Sequence, residues 1–75
     1  MHRRTNKDIR TSILSSLSSA KSINEIASAA AINWHTTELH LNYLKGRELV
    51  KEIFHHHKLR IFELTEKGKK SVKNE

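Results

Sequence analysis

Side chains that can hydrogen-bond to the edges of nucleic-acid bases recur along one short segment, residues 34–46. At helical spacing they share, with the apolar Leu39, the side of this segment that is opposite to its apolar stripe: His35, Thr36, Asn42 and Tyr43. An asparagine can pair with adenine through two hydrogen bonds, threonine and histidine can donate or accept, and a leucine can contact the thymine methyl group. The alternative is a solvated helix face, because single exposed apolar residues are common.

A second group of chemically active residues follows at His55, His56, His57, Lys58 and Arg60. Three consecutive histidines suggest a metal site, but successive residues of a strand point to opposite faces. Zinc also requires four ligands in a fixed geometry. We therefore predict no metal site, and expect His56, His57, Lys58 and Arg60 to contact phosphates or the minor groove.

Enzymatic chemistry has no recognisable motif in this chain. A glycine-rich phosphate loop, an HExxH pair and a nucleophile elbow are all missing from the sequence. His40 has no serine, cysteine or carboxylate placed by the sequence to complete a triad, so we interpret it as a packing residue with a polar tip. We expect no catalytic residue and no cofactor, and the lack of cysteine excludes disulfides and Cys-type zinc sites.

Charge and length point to a small basic domain. The 75 residues include 14 Lys and Arg against 8 Asp and Glu, which gives a net charge of +6. A basic domain of this size most often binds a polyanion, and Arg3 and Arg4 in a basic N-terminal arm (1–4) are candidate DNA contacts. Without a long apolar run or a signal core, we expect a cytoplasmic protein with no membrane partner. The length predicts one domain over 1–75, with a core at about 6–68 and a charged tail at 69–75.

Capping residues and apolar periodicity predict three helices, at about residues 6–19, 23–30 and 34–46. Ser22 and Glu25 form a capping box before the second helix, and Asn33 can cap the third. In the third helix Thr37, Leu41 and Leu44 form the narrow stripe that should be buried. Two short helices joined by the tight turn 31–33 indicate a helix-turn-helix arrangement.

From Leu49 the spacing of apolar residues changes to that of β-strands. Two β-rich runs flank the polar HHHK segment and predict a hairpin with a tip of about four residues. Phe54, Phe62 or Leu64 should pack this hairpin on the helices, since an isolated hairpin is marginal in water. We expect a short third strand beside Ile23, and a frayed C-terminal helix containing Val72.

Two motifs resemble those of ArsR-like and related small archaeal winged-helix regulators. The first motif covers the third helix and the following strand, and it matches at Thr36, His40, Leu41, Leu44, Leu49 and Val50. The second motif is FELTEKG, and it matches at Phe62, Leu64, Thr65, Glu66, Lys67 and Gly68. The resemblance implies an α+β, mainly α, winged helix-turn-helix fold: a three-helix core, a β-hairpin wing and a possible short C-terminal helix. The sequence departs from the family at Ala31, where glycine is usual. The turn between the second and third helices must therefore avoid a left-handed backbone or be strained.

The resemblance further implies sequence-specific binding to double-stranded DNA and regulation of transcription. The third helix would enter the major groove, and the wing would contact the backbone or minor groove. Small stand-alone proteins of this kind look like regulators of archaea and of their viruses and plasmids. Because no long apolar helix is left over, we expect a monomer or weak homodimer that could pair on DNA. The alternatives are a protein-interaction module, which this fold also supports, and a non-specific or RNA-binding protein.

Overall fold

The structure is a computed structural model that describes residues 5–73. Four helices and three strands follow one another in the order α1 (Asn6–Ser16), β1 (Lys21–Ser22), α2 (Ile23–Ala30), α3 (Trp34–Gly46), β2 (Val50–His56), β3 (Leu59–Leu64) and α4 (Glu66–Lys73). Within the described part of the chain, no helix is both long and apolar enough to cross a membrane.

The side chains that precede the first three helices fix where those helices begin. The Ser22 hydroxyl accepts from the Glu25 amide at 3.2 Å, and the Glu25 carboxylate accepts from the Ser22 amide at 2.9 Å. The Asn33 side chain accepts from the Thr36 amide at 2.7 Å, as predicted for the start of α3. Such caps satisfy backbone donors that the first helical turn leaves unpaired.

Helix α1 ends at Ser16, three residues before the end that we predicted. The Ser16 hydroxyl donates to the Ile13 carbonyl at 2.7 Å, and the Leu17 amide donates to the Leu14 carbonyl at 3.1 Å. A serine side chain competes with the backbone in this way and weakens the last turn. Leu17, which follows the helix, turns into the core and is only 2% exposed.

The corner between α2 and α3 uses the left-handed backbone that the sequence analysis described as strained. Ala31 has φ 57° and ψ 46°. The Ile32 amide donates to the Ala27 carbonyl at 3.0 Å, and the Ala31 amide donates to the Ser28 carbonyl at 3.3 Å. These two bonds form a Schellman motif, which normally carries glycine at this position. An alanine there costs about 1–2 kcal/mol.

The core lies between the helices and the inner face of the sheet. The predicted stripe of α3 is confirmed, since Thr37, Leu41 and Leu44 are buried. Phe62 on β3 is fully buried against the helices, also as predicted. Trp34 and Ile32 are partly buried at the margin of the same core.

Within residues 5–73 the sheet has the strand order β1-β3-β2, and all of its pairs are antiparallel. The predicted third strand is confirmed as Lys21–Ser22, although Ile23 itself starts α2. The predicted four-residue tip is wrong: His56 pairs with Leu59, so only His57 and Lys58 form the turn. His57 supplies the positive φ (56°) that a two-residue hairpin turn requires.

Phe54 does not pack the hairpin on the helices and is 48% exposed. The register of β2 against β3 shifts between Glu52 and Phe54, which indicates a β-bulge at this point. One extra residue reverses the face on which the next side chains point. Phe54 therefore turns outward, and the exposed His55 lies on the side of Glu52, with its Nδ1 atom 3.7 Å from Glu52 Oε2.

The C-terminal segment is a packed helix rather than a frayed one. In α4 Val72 packs against the core, and Gly68 is buried. A Cβ atom on Gly68 would overlap the Leu49 carbonyl oxygen. The Thr65 hydroxyl donates to the Glu48 carbonyl at 2.6 Å and accepts from the Gly68 amide at 3.0 Å. The matched Thr-Glu-Lys-Gly motif thus joins the hairpin to the last helix by specific contacts.

Candidate nucleic-acid interface

Helix α3 presents one side to solvent along most of its length. His35, Leu39 and Asn42 lie on this side at helical spacing and are exposed, Leu39 to 55%. Thr36 is half-buried beside them, and its amide is held by the Asn33 cap. The structure therefore brings four of the five predicted base-contacting residues to one surface, which we call the α3 face (His35, Thr36, Leu39, Asn42).

Tyr43, the fifth, lies at the edge of the α3 face toward α1. The Arg10 guanidinium stacks over the Tyr43 ring, 4.0 Å from its centre. The ring is 44% exposed. Tyr43 is therefore the residue that links the α3 face to α1.

A basic cleft adjoins Tyr43, between α1, α3 and α4. Its cationic lining residues are Lys7, Arg10 and Arg47, and among the described residues none of those lining it is acidic. The Arg10 Nε atom is buried and has no hydrogen-bond partner within the described chain. Burial, and then the charge of Arg10, lower the pKa of the nearby His40 imidazole. The sequence analysis missed this cleft, although Lys7 and Arg10 already lie one helical turn apart.

On its other side the α3 face meets a cluster of charges built around Arg60 of β3. The Arg60 Nε atom donates to Glu52 Oε2 at 2.7 Å, and Nη1 donates to Glu38 Oε2 at 2.9 Å. Lys45 Nζ contacts Glu52 Oε1 at 3.2 Å. Hydrogen bonds from Arg60 are the largest cause that lowers the pKa of Glu52 to about 2, with Lys45 contributing further. Glu52 is therefore ionised at any working pH.

Asn42 connects this cluster to the α3 face. Arg60 Nη2 donates to Asn42 Oδ1 at 3.3 Å, while Asn42 itself stays exposed. The Arg60 side chain is only 11% exposed. The structure therefore places Arg60 behind the α3 face and inside an intramolecular network, not at the tip of the hairpin.

The hairpin tip carries the remaining predicted residues. His56, His57 and Lys58 are exposed, and the two histidine rings contact each other edge-on at 4.2 Å between centres. Lys58 lines a cleft with Trp34, which brings the tip beside the start of α3. Over residues 5–73, no cluster of three or more His, Cys, Asp or Glu could hold a metal ion. The predicted contacts Arg3 and Arg4 lie outside the described residues.

The sequence model of the winged helix-turn-helix family matches residues 3–74. The chain belongs to the winged helix-turn-helix family. The predicted fold class and the family resemblance are therefore confirmed, with α2 and α3 as the helix-turn-helix and the β2–β3 hairpin as the wing.

Structures of DNA-binding winged-helix proteins resemble this chain over most of its length. Sso10a-2, a DNA-binding protein from Sulfolobus solfataricus, is 25% identical with a TM-score of 0.81, over 96% of this chain and 74% of its own. BpsR of Bordetella bronchiseptica, whose DNA binding is regulated by 6-hydroxynicotinic acid, is 25% identical with a TM-score of 0.79, over 88% and 49%. A MarR family transcriptional regulator from Silicibacter pomeroyi is 25% identical with a TM-score of 0.79, over 88% and 46%. The winged helix thus spans about half the length of the last two proteins. Comparison with curated protein sequences gives no significant match.

In this winged helix the α3 face is bordered by the basic cleft toward α1 and by the paired charges around Arg60 on the other side. The wing tip with Lys58 lies beside the start of α3. Sequence patterns indicated α3 and the wing tip as candidate contacts. They did not indicate that Glu38 and Glu52 pair with Arg60, because these contacts join elements far apart in sequence. Strand alternation places Glu52 on the side of β2 that faces the helices, which was the available signal.

Proposed function

We propose that this winged helix binds double-stranded DNA sequence-specifically and regulates transcription. The observation that carries the proposal is the α3 face, a row of hydrogen-bonding and apolar side chains with the basic cleft along one border and Lys58 of the wing tip beside its start. Similarity to Sso10a-2, BpsR and a MarR family regulator supports it. We also propose an origin in archaea or their mobile elements, as for Sso10a-2 of Sulfolobus solfataricus, and a cytoplasmic location.

We assign α3 to the major groove, whose width of about 12 Å admits one helix. His35, Thr36, Leu39 and Asn42 would then meet base edges. Tyr43 lies where the groove edge passes the helix, so we assign its hydroxyl to a phosphate rather than to a base. An exposed leucine between polar residues suits the methyl group of thymine.

Phosphate contacts are assigned to the wing tip and to the basic cleft. On the wing, His56, His57 and Lys58 are free to approach the backbone or the minor groove. Along one border of the α3 face the basic cleft offers three cations, and none of its described lining residues is acidic. Backbone contacts of this kind supply affinity and fix the register of the protein on the duplex. The arm residues Arg3 and Arg4 remain proposed contacts, whereas we assign Arg60 to support of the wing.

Selection of bound sequences from a random pool of duplex DNA tests the proposal. Sequence-specific binding predicts strong enrichment of one motif, and weaker binding as salt concentration rises. Binding without enrichment would contradict a sequence-specific regulator. Preferential binding to RNA, or no binding to either nucleic acid, would favour the alternative of a protein-interaction module.

We also propose that the chain is not an enzyme and is a monomer or weak dimer in solution. The human N-acetylserotonin methyltransferase structure that shares this fold is 16% identical and is matched over only 19% of its length, so the likeness concerns the fold alone. Sedimentation at micromolar concentration should show a monomer or a weak dimer for the free protein, and a greater dimer fraction with a selected duplex. A fully dimeric free protein would contradict this expectation.

A further inference from the structure

We infer that Asn24, Trp34 and Lys58 contact the same phosphate of the DNA backbone, in a cleft at the start of α3. The inference rests on the proposed binding of α3 in the major groove, and it adds a backbone site shared by α2, α3 and the wing tip. The three residues line one cleft of about 380 Å³. Sites that hold small ligands measure about 300–1,000 Å³, so this cleft has room for one sugar–phosphate unit.

Each of the three residues stands on a fixed part of the fold. Asn24 is exposed in the first turn of α2, whose start is held by a capping box. Trp34 is the first residue of α3, and it packs partly against the core. Lys58 lies in the two-residue turn that the last pair of β2 and β3 closes. A site on helix starts and a tight turn loses little freedom when it binds a ligand, which favours affinity.

The cleft offers hydrogen-bond donors that the protein itself leaves unused. The Trp34 indole has one N–H donor, the Lys58 ammonium has three, and the Asn24 amide has two beside its single oxygen. Within residues 5–73 these side chains make no hydrogen bond or ion pair, and none of the described lining residues is acidic. Arg10 Nε is the one described side-chain nitrogen or oxygen that is both buried and unpaired, so the Trp34 N–H is accessible to solvent. An anion rich in acceptors is therefore the ligand that this cleft suits.

The position of the cleft indicates that this anion is a backbone phosphate. Trp34 directly precedes His35 and Thr36 of the α3 face, so the cleft adjoins one end of that face. A helix in the major groove has a phosphate backbone on each side, and most protein–DNA hydrogen bonds go to phosphate and sugar. The basic cleft with Tyr43 and Arg47 lies near the other end of α3, a helix about 20 Å long. The two clefts are therefore placed to meet different phosphates.

Duplexes that carry one neutral methylphosphonate linkage in place of a phosphate test this inference. When the linkage is moved along a selected site, wild-type affinity should fall about tenfold at the phosphate that the cleft contacts. Asn24→Ala and Lys58→Ala should each bind the unmodified duplex about fivefold more weakly. At that same linkage both variants should lose less than about threefold further, because partners of one group are not additive. Ser28→Ala, exposed on α2 outside the cleft, is the matched control and should respond as the wild type does.

The single tryptophan of the chain gives a second measurement that requires no variant. Quenching of Trp34 fluorescence by acrylamide should fall when the selected duplex binds, because the backbone then covers the indole. Unchanged quenching on saturated protein, or loss of sensitivity in Asn24→Ala and Lys58→Ala at different linkages, would overturn the inference while leaving sequence-specific binding intact. A stronger response of Trp34 to a single strand than to the duplex would also overturn it, since an unpaired base would then stack on the ring. Absence of binding to duplex DNA would overturn the proposed function as well.

Discussion

Replacing Lys58 or Arg60, the two cations near the end of the wing, by alanine should affect different properties of the protein. Lys58 is exposed at the tip, and within residues 5–73 it makes no ion pair. Arg60 is 11% exposed and bonds to Glu52, Glu38 and Asn42. The same loss of one charge should therefore change DNA binding in one variant and protein stability in the other.

The expected magnitudes follow from these surroundings. Lys58→Ala removes one phosphate contact, so the slope of log Kobs against log salt should become shallower by about 0.9. Its free energy of unfolding should change by less than about 0.5 kcal/mol, as for other exposed substitutions. Arg60→Ala removes one partner of a part-buried ion pair, and the cost of such a change in a fully buried pair is about 3–5 kcal/mol. Because Lys45 still pairs with Glu52 at 3.2 Å, we expect the lower end of this range.

Denaturant titration measures the free energy of unfolding, and fluorescence anisotropy of a labelled duplex at several salt concentrations measures the slope. Lys51→Ala, an exposed wing lysine already paired with Glu63 at 3.2 Å, is the matched control and should change neither quantity by much. An Arg60→Ala protein of unchanged stability with a shallower salt slope would refute our account of the charge cluster. An unchanged slope in Lys58→Ala would show that the wing tip does not contact phosphates.

Three further predictions concern stability. Ala31→Gly should stabilise the protein by about 0.5–1 kcal/mol, because relief of a left-handed alanine outweighs the entropy that glycine adds to the unfolded chain. Ala29→Gly, the same change at an exposed helical site, should destabilise it by a similar amount in denaturant titration. A stability change of the same sign in both variants would contradict the backbone argument. Gly68→Ala should cost about 1–3 kcal/mol through the clash with a backbone carbonyl, whereas Gly46→Ala, with open space around it, should be neutral or stabilising in thermal unfolding. The pKa of Glu52 is lowered from 4.5 to about 2. Its contribution of about 2–3 kcal/mol to the free energy of unfolding is therefore complete above pH 4.5 and is lost as the pH falls toward 2. Unfolding measured across this range should show a weaker pH dependence in Glu52→Gln than in the wild type, and an equal dependence would show that another group is responsible.

The sequence by itself determined the features that depend on neighbours in the chain. Ser22 and Glu25 are three residues apart, and their reciprocal bonds form within one helical turn. The buried stripe of α3, centred on Leu41, follows from apolar periodicity alone, and the α3 face is its complement. For this reason the starts of the helices, the core side of α3 and the residues of its exposed side could all be predicted.

Only the tertiary structure decided the features that depend on distant partners or on one residue of register. The bulge in β2 turned Phe54 outward, and no pattern in the sequence distinguishes a bulge from regular alternation. Arg60 meets Glu38 across 22 residues and Asn42 across 18. Sequence chemistry assigned Arg60 to phosphate and Asn42 to adenine because each side chain was considered alone. Packing brings them together: the Arg60 guanidinium pairs with Glu38 and Glu52 and donates to the Asn42 amide oxygen, contacts that neither side chain indicates by itself.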